Sequence, residues 1–516
     1  MSLMSGRRFG ANTSCKEPLP EGPLLMGIDI GTSSSKVSLV ASATLQTRTY
    51  TTAYPLLTPK PSYVELDPSV VVGQVFELIR GAVSERYSHR IDGIGLCGLV
   101  PSLIPVDKSG CPLLNCITYM DKRASLEANW IEQRIGPANL YDIAFRRSMP
   151  KFLAPKILWI KRHHRDIYRN TFKFLQIKDL MALRLCGKFC TDPILASNSL
   201  VFDLRSGAWA RDLIEAMGID GNRLPDVHPP MSIVGGLTPE ASRLTGLREG
   251  IPVVCGSTDL SLATLAIGAS KSDVAFEMTG TSTVLGIHVL RLIGDQLQRY
   301  EVSPGLKPGT FTIAFVNHGT GAILRWLVEG LGRQGGPDDF PADDYRVLEG
   351  EAARLEIGAD GLIVLPYFEG MGTGLYGRRA KGAIYGLSLR HTAAHVYRAI
   401  LEAIALRVRE NTHVLQALGL EIREVRTTGG VARSELLRQI QADAIGLPFA
   451  LMTPYEAPSV GAAIAAGGGV GIYEDPFSIG DRVSAVADMA IPRAGATAIY
   501  EGLAKRVADL EGRLFG

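Results

Sequence analysis

The chain has 516 residues, more than one hydrophobic core usually serves, so two domains are expected. Its 54 Lys and Arg against 52 Asp and Glu give a formal charge of +2 without a basic stripe, which argues against a nucleic-acid partner. Its seven cysteines have neither CxxC spacing nor a His/Cys partner set, so they read as small buried apolar residues in a reducing cytoplasm.

Residues 1–23 lack the apolar core of a signal peptide and read as a flexible tail. Ordered structure is expected from Leu24, where the apolar run Leu24–Ile30 turns through Gly31-Thr32-Ser33-Ser34-Ser35 and resumes as Lys36–Val40. That pattern is strand, polar turn, strand, with glycine at the bend. Ile91–Cys97 and Leu103–Val106 read as strands, Pro155–Arg162 and Leu175–Leu185 as helices. A second hairpin is expected over Val274–Ile287, and its turn repeats the tripeptide of the first: Gly280-Thr281-Ser282 against Gly31-Thr32-Ser33. Gly361–Tyr367 reads as a strand and Ala394–Leu418 as a long amphipathic helix. Strand Val425–Thr428, helix Arg433–Ile445 and a C-terminal helix over Ala494–Leu514 complete the series. The glycine-rich apolar stretch Val460–Tyr473 is too short to span a bilayer. The mixture is α/β, and a break near 260–272 divides it into domains 24–268 and 269–516.

Three constellations carry chemistry. Asp29-Ile30-Gly31-Thr32-Ser33-Ser34-Ser35-Lys36 combines a carboxylate for a metal, a glycine-hydroxyl turn that can cradle phosphates, and a lysine. A plain hairpin with solvent-facing Asp and Lys accounts for the same residues. Gly429-Gly430-Val431-Ala432-Arg433-Ser434 joins a strand to a helix start, where paired glycines admit a flat base or ribose, or where Ser434 merely caps the helix. Asp259 follows the buried-looking strand Ile251–Cys255; it serves either as a helix N-cap or as a base that accepts a sugar hydroxyl's proton. No G-x-x-x-x-G-K-[ST] is present, and Gly93-x-Gly95-x-x-Gly98 has no helix after it, so neither a P-loop nor a dinucleotide fold is expected.

Taken in order, these elements resemble the FGGY carbohydrate kinase family. Asp29-x-Gly31-Thr32-Ser33-Ser34-x-Lys36 and Gly280-Thr281-Ser282 are similar to its two phosphate motifs. Ser62–Pro68 resembles its G-W-x-E-x-D-P element, and Phe152–Trp159 the F-x-A-P-K-L-L-W of xylulokinases. Leu324–Leu327 and Gly429–Ser434, continuing to Gln441-Ala442-Asp443, resemble the C-terminal signature. The resemblance covers nearly the whole chain from Leu24. It implies two actin-like (ribonuclease H-like) ATPase domains separated by a cleft, sugar mainly on the first and ATP mainly on the second. It also implies Asp29 and Asp259 about Mg2+, with Gly31, Thr32, Ser33 and Lys36 beside the phosphates. Gly280 and Thr281 would reach the phosphates from the second domain, and Gly321, Gly430 and Ser434 would line the adenosine pocket, with Asp259 as catalytic base.

Departures fall in the sugar pocket. Where xylulokinases read G-Q-M-H-G, this chain has Gly98-Leu99-Val100-Pro101-Ser102, and W-N-D becomes Tyr119-Met120-Asp121. Leu99, Val100, Pro101, Tyr119 and Asp121 are the expected substrate residues, Tyr119 as an apolar wall and Asp121 as an acceptor. G-E-R-T-P becomes Gly370-Met371-Gly372-Thr373-Gly374. Such exchanges of polar groups change discrimination between polyols. The expected function is an ATP-dependent kinase of a small ketose or polyol, foremost a pentulose such as xylulose. The expected partner is that sugar, with no nucleic acid and no membrane; a homodimer is compatible with the sequence. The competing classes are a degenerate sugar- or ATP-binding relative and an actin-like ATPase with a protein partner. Retention of Asp29, Asp259 and both turns speaks against the first, and the want of a partner-docking domain against the second.

Overall fold

The run Leu24–Ile30 forms a strand in which every residue is buried, as its lack of polar alternation requires. It lies inside a six-stranded sheet of order Ile233–Gly236, Pro252–Thr258, Ile91–Gly98, Leu24–Ile30, Ser34–Ala41, Thr47–Ala53. The strands 24–30, 91–98 and 252–258 run parallel, so their C-terminal ends share one edge; Gly98 pairs with both Ile30 and Thr258. The computed structural model describes residues 18–280, 282–331, 342–368 and 380–516.

One face of this sheet packs Met26, Ile28 and Ile30 with the helices Pro68–Tyr87 and Ile177–Cys186 in a continuous core. The opposite face carries the helix Ala457–Gly469, seated unusually close. A Cβ at Gly27 would overlap the Ser459 carbonyl, one at Gly95 the Ala462 carbonyl, and one at Gly461 the Leu262 carbonyl. Glycine is needed at these positions because two backbones meet there. Gly93 and Gly95 thus serve helix packing rather than a dinucleotide.

The chain divides into two compact units. The first comprises the residues up to Gly268 with Ser303–Phe311 and Glu456–Ser484; the second comprises Ala269–Val302, Thr312–Tyr455 and Ala485–Gly516. The segment from Glu456 follows the second unit's strands in the chain but groups with the first unit, because its glycines dock on that unit's sheet.

The second unit is built on a seven-stranded sheet of order Glu301–Pro304, Phe311–Asn317, Thr283–Val289, Val274–Thr279, Glu424–Thr428, Phe449–Thr453, Ala485–Ala490. The helices Ala393–Ala417, Glu435–Ile445 and Ala496–Phe515 share one core. Glu277 is buried within this sheet, its carboxyl pushed up to about 7 by burial, and it accepts hydrogen bonds from Thr427 Oγ1 (2.9 Å) and Gln441 Nε2 (2.5 Å). Those bonds tie strand to helix and account for a carboxyl at this depth. Among the described residues no helix is long and apolar enough to cross a membrane.

Candidate active site

The shared C-terminal edge of three parallel strands is where open α/β sheets bind ligands. Here it gathers the ends of strands 24–30, 91–98 and 252–258, and with them Asp29, the Leu99–Pro101 segment and Asp259.

Asp29 is 6% exposed and faces the same side as Gly27, toward the helix Ala457–Gly469. Burial raises its pKa; opposing this are Lys36, its direct cross-strand neighbour, and the Cys97 thiol, which donates to Oδ1 at 3.2 Å. The Lys36 ammonium reaches Glu456 at 2.6 Å, with both side chains about a quarter exposed. The turn between them is fixed both from within and from outside. Gly31 N–H donates to Ser34 O at 2.9 Å, and the Tyr54 hydroxyl donates to Gly31 O at 2.6 Å. Thr32 is half-buried and Ser33 exposed.

Asp259 opens the helix Asp259–Ala266, but Thr258 is its cap: the Thr258 hydroxyl accepts from Ser261 N–H at 3.1 Å. The N-cap alternative for Asp259 is thereby corrected. Its carboxylate instead accepts its neighbour's amide, Leu260 N–H, at 2.7 Å. Burial, and then the charge of Asp29, push the Asp259 carboxyl up to about 7. Asp29 is near enough for its charge to raise the proton affinity of Asp259, and with Lys36 beside Asp29 the edge can hold a proton or a cation.

Other expected substrate residues divide. Tyr119 is half-buried, hydrogen-bonds the Thr32 side chain and lies in the field of Asp259, so it does belong to this edge. Val100 and Pro101 follow the end of strand 91–98, joined by a cis peptide bond. Leu99 is 2% exposed and packs in the hydrophobic core. Asp121 is engaged within the fold. Its Oδ1 accepts from Arg123 N and Nε, and its Oδ2 from Val64 N and Arg123 Nη2, all at 2.7–2.9 Å. That occupies the acceptor sites of a carboxylate. The Arg123 guanidinium also bonds Glu65 at 2.6 Å and lies 3.8 Å from the Tyr63 ring centre, so Asp121 holds a clamp rather than an open sugar acceptor. Lys156, wholly buried, donates to Thr118 O at 2.9 Å and supports the backbone just before Tyr119; burial brings its pKa down to about 7.

In the second unit the glycines converge. A Cβ on Gly321, at the start of helix Thr320–Arg325, would overlap Gly280 O, and one on Gly429 (φ +111°) would overlap Thr279 O. Gly280 and Gly430 themselves face open space. Ser434 caps the helix Glu435–Ile445, accepting from Leu437 N–H at 3.1 Å and donating to Glu349 at 2.6 Å, so the capping alternative holds and its hydroxyl is engaged. Thr281 and the Gly370–Gly374 segment lie outside the described residues.

Residue reading alone missed Cys97, Tyr54 and Glu456. Each reaches the Asp29 hairpin from elsewhere in the chain, and no local pattern marks any of them.

Comparison with known proteins is consistent across the chain. The model of the FGGY family of carbohydrate kinases, N-terminal domain, matches residues 24–266, and that of the C-terminal domain matches 277–469. The xylulose kinase of Staphylococcus xylosus is 26% identical over 448 residues, 86% of this chain and 90% of that protein. The gluconokinase of Bacillus subtilis is 28% identical over 484 residues, 90% of each. The crystal structure of xylulose kinase from Rhodospirillum rubrum superposes with a TM-score of 0.84 at 26% identity, covering 95% of this chain and 99% of that one. The fold is the two-domain, actin-like ATPase architecture of such kinases, and the chain belongs to the FGGY family of carbohydrate kinases, as a sugar kinase.

Proposed function

We propose that this sugar kinase transfers the γ-phosphoryl group of ATP to a hydroxyl of a small ketose or polyol, a pentulose such as xylulose being the first candidate. The observation that carries the reading is the pairing of Asp29 with Asp259 at one sheet edge, where Asp259 is pushed up to about 7. A carboxyl poised there exchanges its proton near neutral pH, as a general base must.

In the proposed step Asp259 takes the proton of the sugar hydroxyl while that oxygen bonds to the γ-phosphorus. The bond from this phosphorus to the bridging oxygen breaks, and ADP leaves. Within the first unit, Lys36 and the Thr32-Ser33 turn receive phosphate oxygens; within the second, Gly280, Thr281, Gly321 and Gly430 are the proposed nucleotide-binding residues. Tyr119 and the Val100-Pro101 segment border the sugar.

The donor set suits Mg2+. Two carboxylates would leave positions for water and phosphate oxygens, as Mg2+ prefers. Asp29 and Asp259 would hold it, and when bound it supplies positive charge to the phosphoryl oxygens. A cytoplasmic location is part of the proposal, since buried thiols such as Cys97 and Cys255 suit a reducing compartment.

Relatives named xylulose kinase and gluconokinase match at similar identity, which supports a sugar class rather than one sugar. The test is ADP release across tetruloses, pentuloses, hexuloses, polyols and gluconate, with wild type and Asp259→Asn. One sugar should stimulate ADP release. The variant should keep nucleotide affinity and lose about 10²–10⁴ in kcat. Wild-type turnover in the variant would remove Asp259 as the base, and a panel without any stimulation would overturn the pentulose reading.

A further inference from the structure

The second unit holds a cavity of about 420 Å³ that uses none of the residues assigned to phosphoryl transfer. It runs between the helices Ala393–Ala417 and Ala496–Phe515, with Phe315 and Val364 from two strands behind them. Its size is within the range of small-molecule sites. Small side chains keep it open: Ala403 and Ala417 on one helix, Ala504 and Ala508 on the other, where larger residues would interdigitate and fill the space.

The lining is mostly apolar but carries hydrogen-bond donors with nothing to donate to. Asn411 is 4% exposed, lines the cavity, and has its Nδ2 buried without a hydrogen-bond partner. Arg409, also lining it, has a buried Nε in the same condition. Of the nearby carboxylates, Glu511 accepts from the Tyr367 hydroxyl and Glu410 from Arg407, and neither accepts from Asn411 Nδ2 or Arg409 Nε. The remaining lining cation, Arg299, is held by Asp295 at 2.9 Å. A native fold seldom leaves a buried donor unsatisfied, so a buried amide and a buried guanidinium nitrogen lining one cavity call for an acceptor from outside the chain.

We propose that this cavity binds a small amphipathic carboxylate. Its carboxylate would accept from Asn411 Nδ2 and Arg409 Nε, and its hydrocarbon body would lie along Phe315, Leu406, Val414 and Val507. An alcohol offers a weaker acceptor to the arginine, and an ammonium brings donors where donors already stand unpaired.

The experiment is isothermal titration of the full chain with hexanoate and 3-phenylpropanoate, against hexan-1-ol and hexylamine. A carboxylate should bind saturably, with the alcohol and amine at least about tenfold weaker. Asn411→Leu, which removes the donor, and Arg409→Gln should each weaken the carboxylate about tenfold. Ala508→Phe, at an exposed rim position, should abolish binding by filling the cavity while sugar-kinase turnover stays within about twofold. Should Asn411→Leu fail to fold, the other two variants decide. No saturable binding of either carboxylate, equal binding of the alcohol or amine, or affinity unchanged in Arg409→Gln and Ala508→Phe overturns the proposal.

Discussion

The two hairpins that share the tripeptide Gly-Thr-Ser are built alike and equipped differently. In the first, Ile30 pairs with Ser35 and the turn spans 31–34; in the second, Thr279 pairs with Thr283. Opposite Asp29 stands Lys36, whereas opposite Met278 stands Val284. The first turn is strapped by Tyr54 and flanked by Cys97 and Glu456; in the second, Gly280 faces open space, its carbonyl is approached by Gly321 and that of Thr279 by Gly429. A matching tripeptide thus marks a backbone shape, while the residue two before the glycine decides whether that shape carries charge. The first hairpin can place carboxylate and ammonium beside a reacting group; the second offers amides and space.

The sharpest way to break this comparison is to exchange the unlike positions. Asp29→Asn should reduce kcat by about 10²–10³, the scale of losing one electrostatic contact to the transition state. Met278→Leu, at the corresponding place in the second hairpin, should change turnover by less than about threefold, since apolar swaps of similar volume perturb little. Similar losses from both would mean that the hairpins are functionally alike.

A tenfold effect per pH unit is expected next. With Asp259 near 7 in the folded protein, log kcat/KM for the sugar should rise with unit slope up to about pH 7 and then level off. Asp29 contributes to that elevation, so the residual activity of Asp29→Asn should show its limb at lower pH. A limb that does not move assigns the titration to another group. The stability consequence has the opposite sense. A carboxyl raised above its ordinary value of 3.8 favours the folded state while it holds its proton, and that contribution is lost as pH rises to about 7. Asp259→Asn should therefore gain thermal stability relative to wild type between pH 5 and pH 8.

The smallest effect concerns the strut behind Lys36. Its partner Glu456 is about a quarter exposed, and solvent-screened pairs are worth about 0.2–1 kcal/mol, so Glu456→Gln should raise the KM for ATP about two- to fivefold and leave kcat nearly unchanged. Glu456→Asp should recover part of the loss. A fall in kcat with KM intact would place Glu456 in the chemistry rather than in positioning.

Much of the architecture was legible before any coordinates. The strand Ile91–Gly98, the helix Ala393–Ala417 and both hairpins lie within a few residues of where apolar periodicity and glycine turns put them. What could not be read was occupancy. Asp121 looked like a free acceptor, yet Arg123 two residues on folds back to fill it; Leu99 looked like a pocket wall, yet it points into the core. For Asp259, sequence offered two roles, and the threonine before it took the cap.

Periodicity, turn residues and helix starts act over a handful of positions, so the sequence by itself determined the elements, their order and the α/β class. The surroundings of each ionisable group depend on distance through space and on removal from water, which covalent neighbours do not specify. The tertiary structure therefore decided that Lys36 meets Glu456, that Cys97 donates to Asp29, and that Asp259 holds its proton near neutrality. It also decided that the helix Ala457–Gly469 belongs to the sheet of the first unit, because only contact between backbones distant in the chain makes its glycines necessary.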